Sequence, residues 1–313
     1  MFIRTVALLL ALVMLGTGPA RAADKLTVLL DWFVNPDHGP LIIAEEKGFF
    51  AAEDLEVELI APADPNDPPK LVAAKKAEIA VSYQPQLHIQ AAEGLPLVRF
   101  GTLVATPLNT LVALESGPIK SIADLKGRKV GFSVGGFEDA LLGAMLKKHG
   151  LSLSDVELVN VNFSLSPSII SGQVDAVIGA FRNFELNQMD IVGQPGRAFF
   201  VEEEGVPPYD ELIYIAHRDA LGDPRLKKFL SAVERATQYL VNHPSEAWAA
   251  FINGRKELDD ELNKRAWRDT LPRFALRPAA LDTGRYERFA AFMRESGLIN
   301  KSMGVGTYAT ELK

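Results

Sequence analysis

"KVGFSVGGFEDALLGAMLKKHG", residues 129–150, reads as a short strand, a glycine turn and an amphipathic helix. One side of that helix would carry Phe137, Leu141, Ala144, Met145 and Lys148, with Gly150 placed for a C-terminal cap. Two more strand patterns, "VELVNVN" at 156–162 and "VDAVIGAF" at 174–181, enclose the helical segment "SPSIISGQ". This alternation predicts a βαβαβ unit with parallel strands.

The same alternation continues on both sides of this unit. Strand patterns "KLTVLL", "EVELI" and "IAVS" precede it, and helical patterns prevail after residue 217, including segments near 226–241, 259–271 and 284–296. Two strand-like segments, "NTLVALES" near residue 111 and "ELIYIAHR" near residue 214, flank the unit as candidate crossovers. We therefore predict an α/β protein of two lobes, each with a mainly parallel sheet flanked by helices. Lobe one would comprise residues 23–111 and 213–313, and lobe two residues 112–212.

The first 22 residues have the pattern of a secretory signal peptide. Arg4 precedes the apolar run "TVALLLALVMLGTG", and "ARA" supplies a cleavage signal that ends at Ala22. Removal of this segment would leave 291 residues and take the formal net charge from −7 to −9. An acidic chain is a poor partner for nucleic acid or for an anionic membrane surface.

Cysteine is absent from the chain. Its absence excludes disulfides, thiolate metal sites, cysteine nucleophiles and a lipidated cysteine anchor. Together with the export signal, this predicts a free periplasmic protein.

The common catalytic motifs are also missing. The sequence contains no Gly-x-Ser-x-Gly elbow, no Walker lysine after a glycine-rich loop and no Gly-x-Gly-x-x-Gly after the first strand. The five histidines, at positions 38, 88, 149, 217 and 243, are dispersed, and none pairs at His-x-x-x-His spacing. We therefore predict no catalytic residues, no metal site and no cofactor.

Polar recognition chemistry is concentrated in "DWFVNPDHG", residues 31–39, directly after the first strand. Trp32 can offer a flat face to an aromatic ring, Asn35 carries both a donor and an acceptor, and His38 can bond through either ring nitrogen. The alternative is that Trp32 is a core residue, Asn35 and Pro36 form a turn, and His38 starts a helix. A second polar segment, with Tyr83 at its centre, follows the strand "IAVS", and the carboxyl ends of such strands are where open α/β sheets bind ligands.

Two further segments are candidates for binding. In "FSVGGFED", Ser133, Gly135 and Gly136 could present free backbone N–H groups to an anion or a carbonyl, or could simply form a tight turn. In "GAFRNFELNQ", the Glu185 carboxylate could accept two N–H bonds from the amidine-like edge of a heterocycle, or could simply begin the next helix. Phe181 and Phe184 are either part of that site or part of the core.

The sequence resembles a known family. "DWFVNPDHGPLIIAEEKGFF" is similar to the opening of periplasmic substrate-binding proteins for thiamine pyrimidine precursors, which are similar in turn to the fungal and bacterial thiamine pyrimidine synthases. The likeness continues through "EIAVSYQPQLHIQAAEGLPL", "SIADLKGRKVGFSVGGFEDALL" and "GQVDAVIGAFRNFEL", and so covers most of residues 26–200. Asp-Trp-x-x-Asn-x-x-His is fairly specific, whereas "DLKGRKVG" is shared with sulfonate, nitrate and taurine binders.

The resemblance implies a type II periplasmic-binding-protein clamshell, the soluble and monomeric binding component of an ABC importer. A small heterocycle, an aminopyrimidine or hydroxymethylpyrimidine precursor of thiamine, would be held between the lobes and delivered to a permease. The residues that the resemblance assigns to the ligand are Trp32, Asn35, His38, Tyr83, Gly135, Gly136, Phe137, Phe181, Asn183 and Glu185.

Two departures from the family pattern matter. The synthases use a cysteine-rich iron-binding motif, so a chain without cysteine places a synthase-like enzyme well behind a binding protein. Phe181 and Arg182 stand where a larger polar aromatic residue and a neutral neighbour are expected. That difference leaves riboflavin or another flat heterocycle open as the ligand, and a sulfonate or nitrate-type anion remains an alternative on the same fold.

Overall fold

The computed structural model describes residues 23–301 and 303–312. The predicted signal peptide, residues 1–22, lies outside the described residues. None of the helices within the described ranges is both long and apolar enough to cross a membrane.

The first sheet has five strands in the order β2-β1-β3-β10-β4. Its strands are β1 (Asp24–Leu29), β2 (Leu55–Ile60), β3 (Ile79–Ser82), β4 (Leu97–Val104) and β10 (Leu212–His217). Strand β10 runs antiparallel to both of its neighbours, so the other four strands share one direction.

The second sheet repeats this plan in the order β7-β6-β8-β5-β9. Its strands are β5 (Asn109–Leu114), β6 (Lys129–Phe132), β7 (Glu157–Asn160), β8 (Ala176–Phe181) and β9 (Gly196–Phe200). Here β5 is the single antiparallel strand. The prediction of a two-lobe α/β protein with mainly parallel sheets is confirmed.

The chain passes between the two sheets twice, in residues 105–108 and in residues 201–211. The segments predicted as crossovers are themselves strands, β5 and β10, and the connections that precede them make the passage. The predicted boundary at residues 111–112 falls inside β5, all of which pairs within the second sheet. We propose that the lobes are divided at these two connections.

Ten α-helices flank the sheets within the described residues. They are α1 (Gly39–Glu46), α2 (Pro68–Ala73), α3 (Gln84–Ala92), α4 (Glu138–Lys148), α5 (Leu165–Ile170), α6 (Glu185–Ile191), α7 (Pro224–Asn242), α8 (Pro244–Phe251), α9 (Glu261–Thr270) and α10 (Thr283–Glu295). The longest, α7, starts at Pro224, where a missing N–H costs nothing, and Asp223 caps it by accepting from the Arg225 N–H. The helices predicted after the second crossover are confirmed.

Connections that leave the carboxyl ends of β1, β3 and β8 reach the cleft between the lobes. They are residues 30–38, 83 and 182–184, and each contributes lining residues there, as expected for ligand sites on open α/β sheets. Trp32, from the first of them, belongs to an apolar cluster whose other buried members all come from the second lobe. The two lobes are therefore in contact across the cleft.

Candidate functional site

A cavity lies between the lobes, with about 370 Å³ of empty space, part of it open to solvent. The room inside it that a water-sized sphere can occupy is about 20 Å³, enough for about one water molecule, so the side chains of the two lobes leave little free space between them. The cavity is lined by Asp31, Trp32, Asn35, Asp37, Tyr83, Glu138, Leu165, Gly179, Phe181, Phe184 and Glu185.

Asn35 fixes the loop that follows β1. Its backbone is extended, and its Oδ1 accepts the Asp37 N–H at 2.8 Å, which caps a short 3₁₀ turn over Pro36–His38. Its Nδ2 donates to the Phe33 carbonyl at 3.1 Å. The Asn35 side chain lines the cavity, and each of its two polar atoms already makes one hydrogen bond within the protein. One N–H and one lone pair remain for a ligand.

His38 lies behind the cavity wall and is fully buried. Its Nδ1 is 3.3 Å from the Asn35 backbone nitrogen, and its Nε2 is 3.0 Å from Asp31 Oδ1. Because a backbone N–H can only donate, Nδ1 is the acceptor, and the ring hydrogen sits on Nε2 towards Asp31. The Tyr83 hydroxyl donates to the other Asp31 oxygen at 3.0 Å. His38 and Tyr83 therefore orient the Asp31 carboxylate, and of these three residues only His38 does not line the cavity.

Aromatic rings form much of the cavity wall. The Trp32 ring packs edge-on against Phe163, with centroids 4.6 Å apart and planes at 70°. Phe181 and Phe184, from the second lobe, also line the cavity. Phe137 is buried and stacks beneath Tyr83 at 4.9 Å, so it supports the wall rather than forming it.

Two buried glutamates occupy equivalent positions in the second lobe, each as the first residue of a helix that follows a strand. Glu138 begins α4 and its Oε2 accepts the Ser133 N–H at 2.7 Å, while Glu185 begins α6 and its Oε2 accepts the Phe181 N–H at 2.6 Å. Helix N-termini favour carboxylates at such positions. Burial nevertheless dominates, and it raises the pKa of each carboxyl to about 8.

Asp37 connects the first lobe to the second. Its Oδ1 accepts from Asn183 Nδ2 at 2.6 Å and from the Thr270 hydroxyl at 3.0 Å. Burial raises the pKa of Asp37 to about 6, although the hydrogen bonds from Thr270 and Asn183 lower it in part. Asn183 itself is buried and does not line the cavity.

The cavity is acidic. Four carboxyl side chains line it, and no lysine or arginine does so within the part of the chain that the structure describes. Nor do the described residues include a group of three or more His, Cys, Asp or Glu side chains arranged to hold a metal ion. A ligand that donates hydrogen bonds or carries positive charge therefore suits this cavity better than an anion.

The structure places Gly135 and Gly136 elsewhere. Both are exposed and line a separate groove, where the Gly135 N–H donates to Asn66 Oδ1 at 3.0 Å. The helix start that was predicted to offer free N–H groups to an anion directs its Ser133 N–H to the Glu138 carboxyl instead. The Glu138 carboxyl thus occupies the position at this helix start that an external anion would take.

Sequence reasoning therefore brought together Trp32, Asn35, Tyr83, Phe181 and Glu185, which do share one cavity. It did not select Asp31, Asp37, Glu138, Leu165 or Gly179, which also line it. The one available signal was position, since Asp31 and Glu138 both follow strand ends that point to the cleft.

The family model described as "NMT1/THI5 like" matches residues 35–247. A Haemophilus influenzae protein provisionally named for thiamine biosynthesis is 56% identical over 95% of both chains. The "formylaminopyrimidine-binding protein" of Halalkalibacterium halodurans is 32% identical over 83% of this chain and 81% of its own.

More distant relatives are named as enzymes. A Schizosaccharomyces pombe protein, 27% identical over 78% of this chain and 73% of its own, is named 4-amino-5-hydroxymethyl-2-methylpyrimidine phosphate synthase. Among solved structures, the alkanesulfonate-binding protein of Xanthomonas axonopodis matches with a TM-score of 0.71 at 15% identity, over 91% of this chain and 97% of that one. That likeness shows the periplasmic-binding-protein fold.

Proposed function

The chain belongs to the NMT1/THI5-like family, and from that premise we propose that it is the substrate-binding component of an ABC importer for a thiamine pyrimidine precursor. The observation that carries the proposal is that Trp32 and Glu185, from opposite lobes, line one cavity. Trp32 offers a flat apolar face, and Glu185 offers a carboxyl to the edge of a ring.

Glu185 can pair with an aminopyrimidine through two hydrogen bonds. A carboxyl whose pKa is about 8 holds its proton at neutral pH, so it can donate to a ring nitrogen and accept from the adjacent amino group. If the proton moves to the ring, the same two bonds join a carboxylate to a pyrimidinium, which is the stronger charge-assisted form. In both forms the pair shares one proton, and the positions of the heavy atoms are the same.

The acidic cavity argues against the anionic alternatives. A sulfonate or nitrate would face four carboxyls and no lysine or arginine among the described lining residues, and the backbone N–H at Ser133 is already bonded to Glu138. Burial of an unpaired anion beside carboxyls is strongly unfavourable. Riboflavin is disfavoured by its size, because three fused rings need more space than a single pyrimidine ring in a cavity this small.

An enzyme of the synthase class has little support from the site. His38 has both ring nitrogens engaged, with Asn35 and Asp31, and its side chain is fully buried. It is therefore poorly placed to transfer a proton to or from a bound molecule. The chain also lacks the cysteines that the iron-binding motif of the synthases requires.

The proposal includes export of the protein to the periplasm and delivery of its ligand to a permease. The signal-peptide pattern of residues 1–22 supports a periplasmic location, and the likeness to a formylaminopyrimidine-binding protein supports capture of a pyrimidine. A monomer that closes around its ligand would then dock on a membrane permease, where ATP hydrolysis elsewhere in the importer drives release.

The experiment is a thermal-shift panel on the mature protein, unfolded and refolded to remove carried ligand. Aminopyrimidine thiamine precursors, riboflavin, taurine and nitrate are compared at concentrations up to about a hundred times the dissociation constant, where binding stabilises by roughly 2.7 kcal/mol. We expect a shift of several degrees with the aminopyrimidines only, and a much smaller one for Glu185→Gln. A shift with taurine or nitrate alone would overturn the substrate class, and no shift at all would overturn the binding role.

A further inference from the structure

We propose that Glu138 is a second specificity-determining residue, whose carboxyl accepts a hydrogen bond from the substituent next to the amino group of the ligand. This inference rests on the proposed function. In 4-amino-5-hydroxymethyl-2-methylpyrimidine that substituent is a hydroxymethyl group, and in a formylaminopyrimidine it is an amide N–H. Glu185 would then read the amino edge of the ring, and Glu138 the hydroxyl or amide donor beside it.

The chain makes room for the Glu138 carboxyl at the cavity wall. Gly179, in the middle of β8, has a φ of +100°, and a Cβ atom at this position would overlap the Glu138 carboxyl. Its N–H is held by Asn109 Oδ1 at 3.0 Å, so the strand keeps this conformation. Glycine is the residue that adopts such a φ without strain and leaves the space beside it open. Gly179 and Glu138 both line the cavity. The space beside Gly179 therefore lets the Glu138 carboxyl lie at the cavity wall, where a ligand would contact it.

A helix-capping role alone does not require a buried glutamate here. Serine, asparagine or aspartate before α4 would satisfy a backbone N–H at lower cost, because none of them brings a long carboxyl side chain into the interior. Glu138 is only 4% exposed, and no side chain in the described part of the molecule donates to its carboxyl. The charged groups that act on it, Glu211 and Asp139, are acidic and raise its pKa further.

A donor on the ligand suits the Glu138 carboxyl, because its oxygens keep lone pairs that can accept a hydrogen bond whether or not the carboxyl is protonated. The Tyr83 hydroxyl, a donor in the cavity wall, already bonds Asp31. A ligand hydroxyl or amide N–H directed at Glu138 would satisfy a carboxyl that is otherwise bonded only by backbone groups. The cavity would therefore select pyrimidines that carry a donor on the substituent over those that carry only a methyl group.

The test is calorimetric titration with two probes, 4-amino-5-hydroxymethyl-2-methylpyrimidine and 4-amino-2,5-dimethylpyrimidine, which differ by one hydroxyl. We expect the wild-type protein to prefer the hydroxymethyl probe about tenfold or more, as one hydrogen bond to such a group provides. Glu138→Ala should remove the preference, and Glu138→Gln should keep part of it, because the amide oxygen still accepts. Glu157→Gln, a change at an exposed residue of the same lobe that lies outside the cavity lining, should leave the preference intact.

The outcomes separate the two proposals. If both probes bind the wild-type protein equally well, or if Glu138→Ala and Glu138→Gln both retain the full preference, the role of Glu138 is wrong and the proposed function stands. If neither probe binds the wild-type protein, the proposed function fails, and the role of Glu138 fails with it. The wild-type comparison does not depend on whether any variant folds.

Discussion

Asn183, just beyond the end of β8, donates a hydrogen bond of 2.6 Å to Asp37 of the opposite lobe. The same amide nitrogen donates to the Thr270 hydroxyl at 2.7 Å, at the last residue of α9. Helix α9 makes a further contact with the second lobe, because Arg265 and Asp190 form an ion pair at 2.8 Å. Asp37, which lines the cavity, thus takes part directly in the hydrogen bonds that join the two lobes.

Replacement of Asn183 by aspartate should open the clamshell. At pH 8 the new carboxylate would face Asp37 across the cleft, and like charges at this separation repel strongly in a buried setting. We expect a larger radius of gyration in small-angle scattering than for the wild-type protein or for Asn183→Ala, which loses the bond without adding a charge. Because the pKa of Asp37 is raised to about 6, this carboxyl is protonated at pH 5 and can donate to its new neighbour. The variant should therefore close again at pH 5, and an identical radius at both pH values would contradict the prediction.

Trp32→Ala should weaken binding of the aminopyrimidine by roughly two orders of magnitude, because stacking and burial of a ring contribute a few kcal/mol. Isothermal titration would measure the loss. Trp248→Ala is the matched control, since Trp248 packs with Phe251 and Trp267 away from the cavity. This control should lower the melting temperature and leave the affinity within about twofold of wild type. Equal losses of affinity in both variants would mean that Trp32 acts only through stability.

The sequence pattern predicted most of the fold, and the elements it missed have physical reasons. Every residue of β4, "LVRFGTLV", is buried, so the strand shows no alternation of apolar and polar residues. Its Arg99 is fully buried because backbone carbonyls of distant residues, such as Ala279 and Thr310, accept from its guanidinium. An arginine in the sequence gives no indication of partners 180 and 211 positions away. Strand β9 is a short edge strand that begins with a glycine, so its pattern is equally weak.

The site was predicted where local sequence determines it. Trp32 and Asn35 lie in one loop and Glu185 follows a strand end, so the rule that ligands bind at carboxyl ends of strands was sufficient. Glu138 follows a strand end as well, but its burial depends on the space beside Gly179, which comes from another strand. The Gly135 N–H donates to the side chain of Asn66 in the first lobe, 69 positions away, and is not free for a ligand. Packing between distant segments decided both cases, and no local pattern records it.

Gly179→Ala should reduce both stability and affinity, because the added methyl group would displace the Glu138 carboxyl and strain a backbone with a φ of +100°. Gly136→Ala is the matched control, with a φ of +83° and open space where the methyl group would lie. Both variants should melt at a lower temperature through backbone strain, but only Gly179→Ala should also lose affinity for the hydroxymethyl probe. Retention of wild-type affinity in Gly179→Ala would show that the Glu138 carboxyl can move without consequence.

The stability of the ligand-free protein should respond to pH through Glu138 and Glu185. Burial raises the pKa of each carboxyl from the ordinary 4.5 to about 8, so between these values the folded state holds protons that the unfolded state has released. Their contribution is therefore fully present below pH 4.5, falls as the pH rises, and is lost once the pH exceeds about 8. Glutamine does not titrate, so Glu138→Gln and Glu185→Gln should each flatten the fall in melting temperature between pH 5 and pH 8 by several degrees.

A surface change supplies the control for this pH series. Glu295→Gln, at the exposed end of α10, should leave the slope of melting temperature against pH as it is in the wild-type protein. The slopes are compared because other carboxyls also contribute to the pH dependence of stability. The pKa of Asp223, for example, is lowered by a hydrogen bond from the Arg225 side chain, so its contribution to stability is lost as the pH falls. This contribution is the same in every variant. If the glutamine variants at 138 and 185 gave the wild-type slope, the two buried carboxyls would be ionised in the folded protein at neutral pH. Glu185 would then bind the ligand as a carboxylate, and only the protonated pyrimidinium form would make both hydrogen bonds.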